Sequence, residues 1–207
     1  MWATCNLAIL FCTSATVSTD RSYREHNMIR FKKGKPTALW YSQHASGEAI
    51  VYSAVEKHNH GPRPISYSAL GTHANYASPG THSHAIPSAN LPVGVLMDRC
   101  DRGTLWDPTL SAYIYKFKYD ASAALEPGHG YFTAYDKSHP VGWLRFQGHW
   151  GDQRLPENDP RQKGHNIGQN WKYENGPTGP CDKQLERKDI WPSGAWGQHI
   201  WELMPWA

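Results

Sequence analysis

An all-β fold, an antiparallel sandwich of the jelly-roll kind in a single domain with long loops, is the architecture this sequence predicts. Three observations carry it. Aromatic residues make up 13% of the chain, with ten Trp and eleven Tyr, and aromatic and β-branched side chains suit a pleated surface. Glycine and proline, 18 and 15 residues, punctuate the chain at short intervals. Residues Ser111 to Tyr119 alternate strictly, with Tyr113, Tyr115, Phe117 and Tyr119 set against Ala112, Ile114, Lys116 and Lys118, the period of two that marks a strand.

The other elements follow in order. Shorter strands are expected at Met28 to Phe31, Ala38 to Tyr41, Ala49 to Val55, Ile65 to Leu70, Val93 to Met97, Tyr131 to Tyr135 and Val141 to Gln147. Turns separate them at Lys33-Gly34-Lys35-Pro36, Gly61-Pro62-Arg63-Pro64 and Glu126-Pro127-Gly128. Residues 151–182, rich in Gly, Pro, Asn, Asp and Gln, read as an extended loop laid over the sheets. With 207 residues the chain is long enough for one domain with a sizeable core. That spacing of strands and turns suits a sandwich or jelly roll.

Charge and apolar patterning exclude several classes. The net charge of +3 is small and the cations are scattered apart from Arg30-Phe31-Lys32-Lys33-Gly34-Lys35, so nucleic acid is not the expected partner. The longest apolar run, Leu7 to Cys12, is six residues, against the roughly 20 that a spanning helix needs. No transmembrane anchor is therefore expected. None of the four cysteines, Cys5, Cys12, Cys100 and Cys181, forms a Cys-x-x-Cys pair, which argues against a zinc ribbon. Cys100 and Cys181 are either free thiols or, in a secreted chain, one disulfide. The Gly-x-Ser-x-Gly elbow, the Gly-x-Gly-x-x-Gly fingerprint and the phosphate-binding loop are all missing.

Chemistry concentrates in Gly71-Thr72-His73-Ala74-Asn75-Tyr76-Ala77-Ser78-Pro79-Gly80-Thr81-His82-Ser83-His84. Six of the twelve histidines lie between His44 and His84, and imidazole is the commonest metal ligand. If extended, His82-x-His84 places two imidazoles on one face, as does His58-x-His60. His82, His84 and His44 are thus the candidate ligands of a divalent metal, with Glu25, Glu48 or Asp98 as carboxylate partners. His73 beside Tyr76 is a candidate acid/base pair for attack on a sugar, with Glu25 as a third candidate catalytic group. The bland alternative is a structural corner, with Asn75 bonding its own backbone and Tyr76 packed inward. His44, Asn75, Trp106 and Trp150 are the candidate ligand-binding residues, the tryptophans because an indole face can stack on a sugar ring. Trp143 reads as core, and Asp98-x-x-Asp101-x-Gly103 as a turn in preference to a calcium loop.

From Glu25 onward the chain resembles the fungal vacuolar protein sorting-associated protein 62 family. The resemblance is carried by Glu25-His26-Asn27-Met28-Ile29-Arg30-Phe31, Trp40-Tyr41-Ser42-Gln43-His44, Arg63-Pro64-Ile65-Ser66-Tyr67-Ser68-Ala69, Gly71-Thr72-His73-Ala74-Asn75-Tyr76, Gly103-Thr104-Leu105-Trp106-Asp107-Pro108, Gly142-Trp143-Leu144, Gly148-His149-Trp150-Gly151-Asp152 and Gly176-Pro177-Thr178-Gly179-Pro180. It covers residues 25 to 190. Members of the family carry Gly-Asp-Trp-Glu where this chain reads Ser22-Tyr23-Arg24-Glu25. Residues 1–24 are therefore expected to be an atypical start, with the first strands missing and an edge of the sheet left open. Residues 191–207 form a Trp-rich tail beyond the resemblance. The resemblance implies a link to vacuolar delivery and an endomembrane setting, with secretion as the alternative. Two readings follow: a non-catalytic module that binds a protein or glycan partner, or a polysaccharide-active hydrolase or lyase with a His-rich, metal-dependent site.

Overall fold

The computed structural model describes residues 7–11, 25–43, 46–83, 97–119, 130–150, 153–162, 164–165, 170–171, 173, 175–176, 178–192 and 200–201. His44, His84, Cys5 and Cys12 lie outside them. So do the turn Glu126-Pro127-Gly128 and most of the strand expected at Val93 to Met97. The described residues form strands and short 3-10 turns, with no α-helix. The chain divides into two compact units. One comprises residues 1–14, 23–105 and 189–207; the other comprises 15–22 and 106–188.

The first unit is built on a five-stranded sheet. Its strands are β1 (Leu7–Phe11), β2 (His26–Lys32), β3 (Lys35–Gln43), β4 (Ser46–Val51) and β13 (Ile200–Trp201), in the order β1-β2-β3-β4-β13. All neighbours are antiparallel except β13, which runs parallel to β4. The β2–β3 hairpin closes through Lys33 and Gly34, with φ of 50° and 75°, the pair of left-handed residues that a two-residue hairpin turn demands. The edge of β2 that the sequence left open is covered: Leu7–Phe11 pairs along it from Leu7↔Arg30 to Phe11↔His26. The C-terminal tail likewise joins the unit through β13. Trp191 packs edge-on against Trp40, with ring centroids 5.6 Å apart.

β3 is buried from Ala38 to Ser42 because both faces of the sheet are covered. Alternation sends Ala38 and Trp40 to one side, with Met28, Ala49 and Ile190. It sends Leu39 and Tyr41 to the other, with Ile50, Val55 and Ala77. A Cβ at Gly47 would strike both the Tyr41 carbonyl and the Trp40 ring, so the bare backbone of glycine is what lets β4 lie this close to β3.

Two short ribbons belong to the same unit. One pairs β5 (Tyr67–Ser68) with β6 (Asn75–Tyr76), the other β7 (Gly80–Ser83) with β8 (Met97–Cys100). The strand expected over Ile65 to Leu70 is only two residues long. Ala69 N–H already donates to the Ala74 carbonyl and His73 N–H to the Ala69 carbonyl, at 2.9 and 3.0 Å, and these bonds turn the chain.

In the second unit, β9 (Tyr115–Tyr119) pairs with β10 (Gly130–Ala134), and β11 (Gly164–His165) with β12 (Asn170–Trp171). The alternating stretch is therefore a strand over its second half. The strand expected at Val141 to Gln147 is instead a 3-10 turn, Gly142–Arg145. Leu144 N–H donates to Val141 and Phe146 N–H to Trp143, the three-residue bond spacing of that helix. Only Leu144 is fully buried there, so the alternation over these seven residues does not mark a two-faced strand.

Candidate functional site

The segment Gly71 to Ser83 is held by a carboxylate that lies on β8. Asp98 is 1% exposed. Its Oδ1 accepts a hydrogen bond from Thr72 Oγ1 and its Oδ2 one from the Tyr76 hydroxyl, each 2.6 Å long. Strand pairing sets His82 opposite Asp98. The His82 ring lies flat on the Tyr76 ring, with centroids 3.9 Å apart and planes 8° apart, and its Nε2 meets the Ser78 carbonyl at 3.0 Å. Burial, then the Asp98 bond, push the Tyr76 hydroxyl well above its ordinary pKa. This phenol thus stays a neutral donor at physiological pH. Burial first, then the charges of Asp98 and Asp101, push the Cys100 thiol up to about 11. Cys100 is a free, buried thiol and not a thiolate nucleophile.

Gly71 and His73 shape the turn, with φ of 81° and 60°. The first suits glycine, and histidine is one of the side chains enriched in the left-handed region. His73 is half-buried. The ring stacked on Tyr76 belongs to His82, and the Tyr76 hydroxyl is committed to Asp98. Asn75 does not bond its own backbone through its side chain; its Oδ1 accepts from Ser66 Oγ at 3.0 Å. The Asn75 carbonyl accepts from Gln43 Nε2 at 3.0 Å, tying β6 to β3. Asn75 Nδ2 is buried without an acceptor among the described residues.

Glu48 borders the same region from β4. Gln43 and the Ala77 backbone hydrogen-bond to its carboxylate and His82 attracts it, yet burial outweighs all three and raises its pKa above the ordinary value. The folded state therefore holds this proton more tightly than the unfolded chain. Stability linked to Glu48 is complete below the unfolded pKa of about 4.5 and is lost as pH rises through the elevated folded value. Glu48→Gln does not titrate and should escape that loss. Thermal melts from acid to neutral pH should show the variant gaining on the parent as pH rises; a gain that shrinks would refute the assignment.

Glu25 lies just before β2 and is buried. Its carboxylate accepts from Ser42 Oγ, on the Trp40 face of β3. Gln43 and Glu48 lie on the Tyr41 face, because successive side chains alternate. His58 and His60 do not share one face of an extended strand. They sit in a 3-10 turn in which Asn59 and His60 have positive φ, and Arg63 meets His58 Nδ1 at 3.1 Å. Among the described residues no group of three or more His, Cys, Asp or Glu is arranged to hold a metal; His44 and His84 fall outside that statement. Asp101 is not joined to Asp98 in a loop site, since its Oδ1 accepts from Gly103 N–H at 2.8 Å and makes a local turn.

A second polar cluster of the same unit joins Glu56, Tyr67 and Arg102. The Tyr67 hydroxyl donates to Glu56 at 2.7 Å and accepts from Arg102 at 2.8 Å, and Arg102 pairs with Glu56 at 2.7 Å. Burial, then the Glu56 bond, push Tyr67 up to about 12. These partners lie 11 to 46 residues apart, so no local pattern announces them. Thr72 and Gln43 are likewise absent from the sequence-derived candidates. Thr72 could have been found from its place beside His73 in the glycine turn.

The two candidate tryptophans belong to the second unit. Trp106 is 57% exposed. Trp150 is half-buried and stands edge-on to Trp143 and Phe146, at 6.0 and 5.5 Å. Trp143 is half-buried and donates from Nε1 to the Tyr115 hydroxyl at 3.2 Å. A cleft of this unit is lined by Gln153, Arg154, Leu155, Pro156, Glu157 and Asn175 and contains none of the residues singled out from the sequence.

Comparison with known proteins places the chain. Residues 4–153 match the family model described as vacuolar protein sorting-associated protein 62. That range begins upstream of Glu25 and ends short of residue 190. The chain is 43% identical over 182 residues to a Saccharomyces cerevisiae protein provisionally named vacuolar protein sorting-associated protein TDA6, covering 80% of this chain and 36% of the relative. It is 37% identical over 202 residues to vacuolar protein sorting-associated protein 62 of the same yeast, covering 87% of this chain and 39% of the relative. The chain thus spans less than two-fifths of the length of these relatives. No solved structure matches, and no helix among the described residues is long and apolar enough to cross a membrane. With half of its length or more matched by the family model and both yeast proteins aligned over most of it, the chain belongs to the vacuolar protein sorting-associated protein 62 family.

Proposed function

We propose that the chain is a non-catalytic binding module that serves vacuolar protein delivery at endomembranes, with a protein or glycan as its partner. The first unit would act as a sandwich-like scaffold, the main sheet as one layer and the β5–β8 ribbons as the other. One observation carries the reading. The polar groups of the Gly71–Ser83 region face one another: Asp98 accepts from Thr72 and Tyr76, Asn75 accepts from Ser66, and His82 stacks on Tyr76. A catalytic base or nucleophile needs a proton or lone pair aimed at substrate, and these groups are spent on one another. The names of both yeast relatives support the vacuolar setting.

The test is complementation. Cells lacking the protein and scored for delivery of a vacuolar reporter should be restored by His73→Ala as well as by the parent chain. Purified protein should release no sugar from a polysaccharide panel, with or without added Zn, Mn or Ca. Turnover that His73→Ala abolishes while leaving the melting temperature unchanged would overturn the reading in favour of a hydrolase or lyase.

A further inference from the structure

We infer that the outward face of the β9–β10 ribbon is a docking surface for an anionic membrane. Register places Lys118 opposite Tyr131 and Lys116 opposite Thr133. One step further Tyr135 N–H donates to the Ile114 carbonyl at 3.0 Å. Because side chains alternate, Ile114, Lys116, Lys118, Tyr131, Thr133 and Tyr135 all project to one side, and all six are exposed. The other side is more covered at its centre: Phe117 lies against Phe132 at 5.1 Å, and Tyr115 stands edge-on to Trp143 at 6.0 Å. Apart from the Arg145–Tyr131 contact, the outer side chains make no ion pair or ring contact among the described residues.

The chemistry of that face is specific. Arg145 sits over the Tyr131 ring, 5.4 Å from its centroid, adding a third cation to Lys116 and Lys118. None of the three is in an ion pair among the described residues. Asp136, which follows Tyr135, is occupied by Ser138 and His139. Tyr135 and Ile114 are 73% and 57% exposed, large values for side chains of their size. Tyrosine rings at headgroup depth, flanked by long cationic side chains that reach the phosphates, are how proteins sit on a bilayer surface. Cations interleaved with exposed tyrosine and isoleucine side chains suit the headgroup layer of an anionic membrane. Each cation close to an anionic leaflet strengthens binding roughly fivefold. The inference goes beyond the proposed function, since an enzyme or a binding module could use the same surface.

Sedimentation of the full chain with vesicles tests it. Phosphatidylserine-containing vesicles should carry the protein down and pure phosphatidylcholine vesicles should not. Salt at about 1 M, where charges are screened beyond about 3 Å, should release it. Lys116→Gln and Lys118→Gln should each weaken binding about fivefold, and together on the order of twentyfold, with unchanged circular dichroism. The exposed pair Lys32→Gln and Lys35→Gln, on the β2–β3 hairpin, should leave binding intact. Equal sedimentation with neutral vesicles, an equal loss from the hairpin pair, or binding of polyglutamate in place of vesicles through Lys116 and Lys118 would overturn the inference.

Discussion

Asp98→Ala should destabilise the first unit by about 2–4 kcal/mol, because the buried Tyr76 hydroxyl and the half-buried Thr72 hydroxyl lose their only described acceptor at once. Asp98 is almost wholly buried, and each orphaned buried donor costs about 1–3 kcal/mol. The alanine also leaves a void beneath the Tyr76–His82 stack. Native stabilities of about 5–15 kcal/mol make such a loss a large part of the total. Asp98→Asn keeps one carbonyl acceptor of the same shape, and the Tyr76 hydroxyl can rotate to meet the amide, so its cost should be clearly smaller. Urea unfolding of the three proteins checks this ordering. Equal stability of Asp98→Ala and the parent would mean that Thr72 and Tyr76 find other partners, and the support for the inward-facing reading of the cluster would go with it.

Trp40→Ala should cost a similar amount, about 3–5 kcal/mol. Trp40 is 1% exposed and packs with Met28, Ala38, Ala49 and Ile190, with Trp191 edge-on to its ring. The loss combines the transfer of a large apolar surface back to water with the cavity left between β2, β4 and the segment after Asp189. For a chain of this size the melting temperature should fall by roughly 6–20 °C. A fall within about 1 kcal/mol of the parent would mean that Trp191 and Ile190 collapse into the space, and that the C-terminal segment is not held by this ring.

Much of the all-β character was legible in the sequence. Strict alternation and Gly/Pro punctuation report on one residue and its near neighbours, and so they located β2, β3, β9 and β10 to within a few residues. The same cues failed at Val141 to Gln147, where seven residues of alternation met a glycine and folded as a 3-10 turn. They also left β1 and β13 unforeseen, since a strand's place at a sheet edge depends on a partner far along the chain.

The site divides the same way. The residues Gly71 to His84 were marked by composition alone: positive-φ positions favour glycine and a few polar side chains, and imidazoles in series are rare. Which groups meet there was decided only by the tertiary structure. Asp98 comes from 22 residues beyond Tyr76, and Gln43 from 32 residues before Asn75. Local pattern determines which stretches become strands and turns. Strand register, a long-range property, determines which side chains share a proton, a stack or a surface.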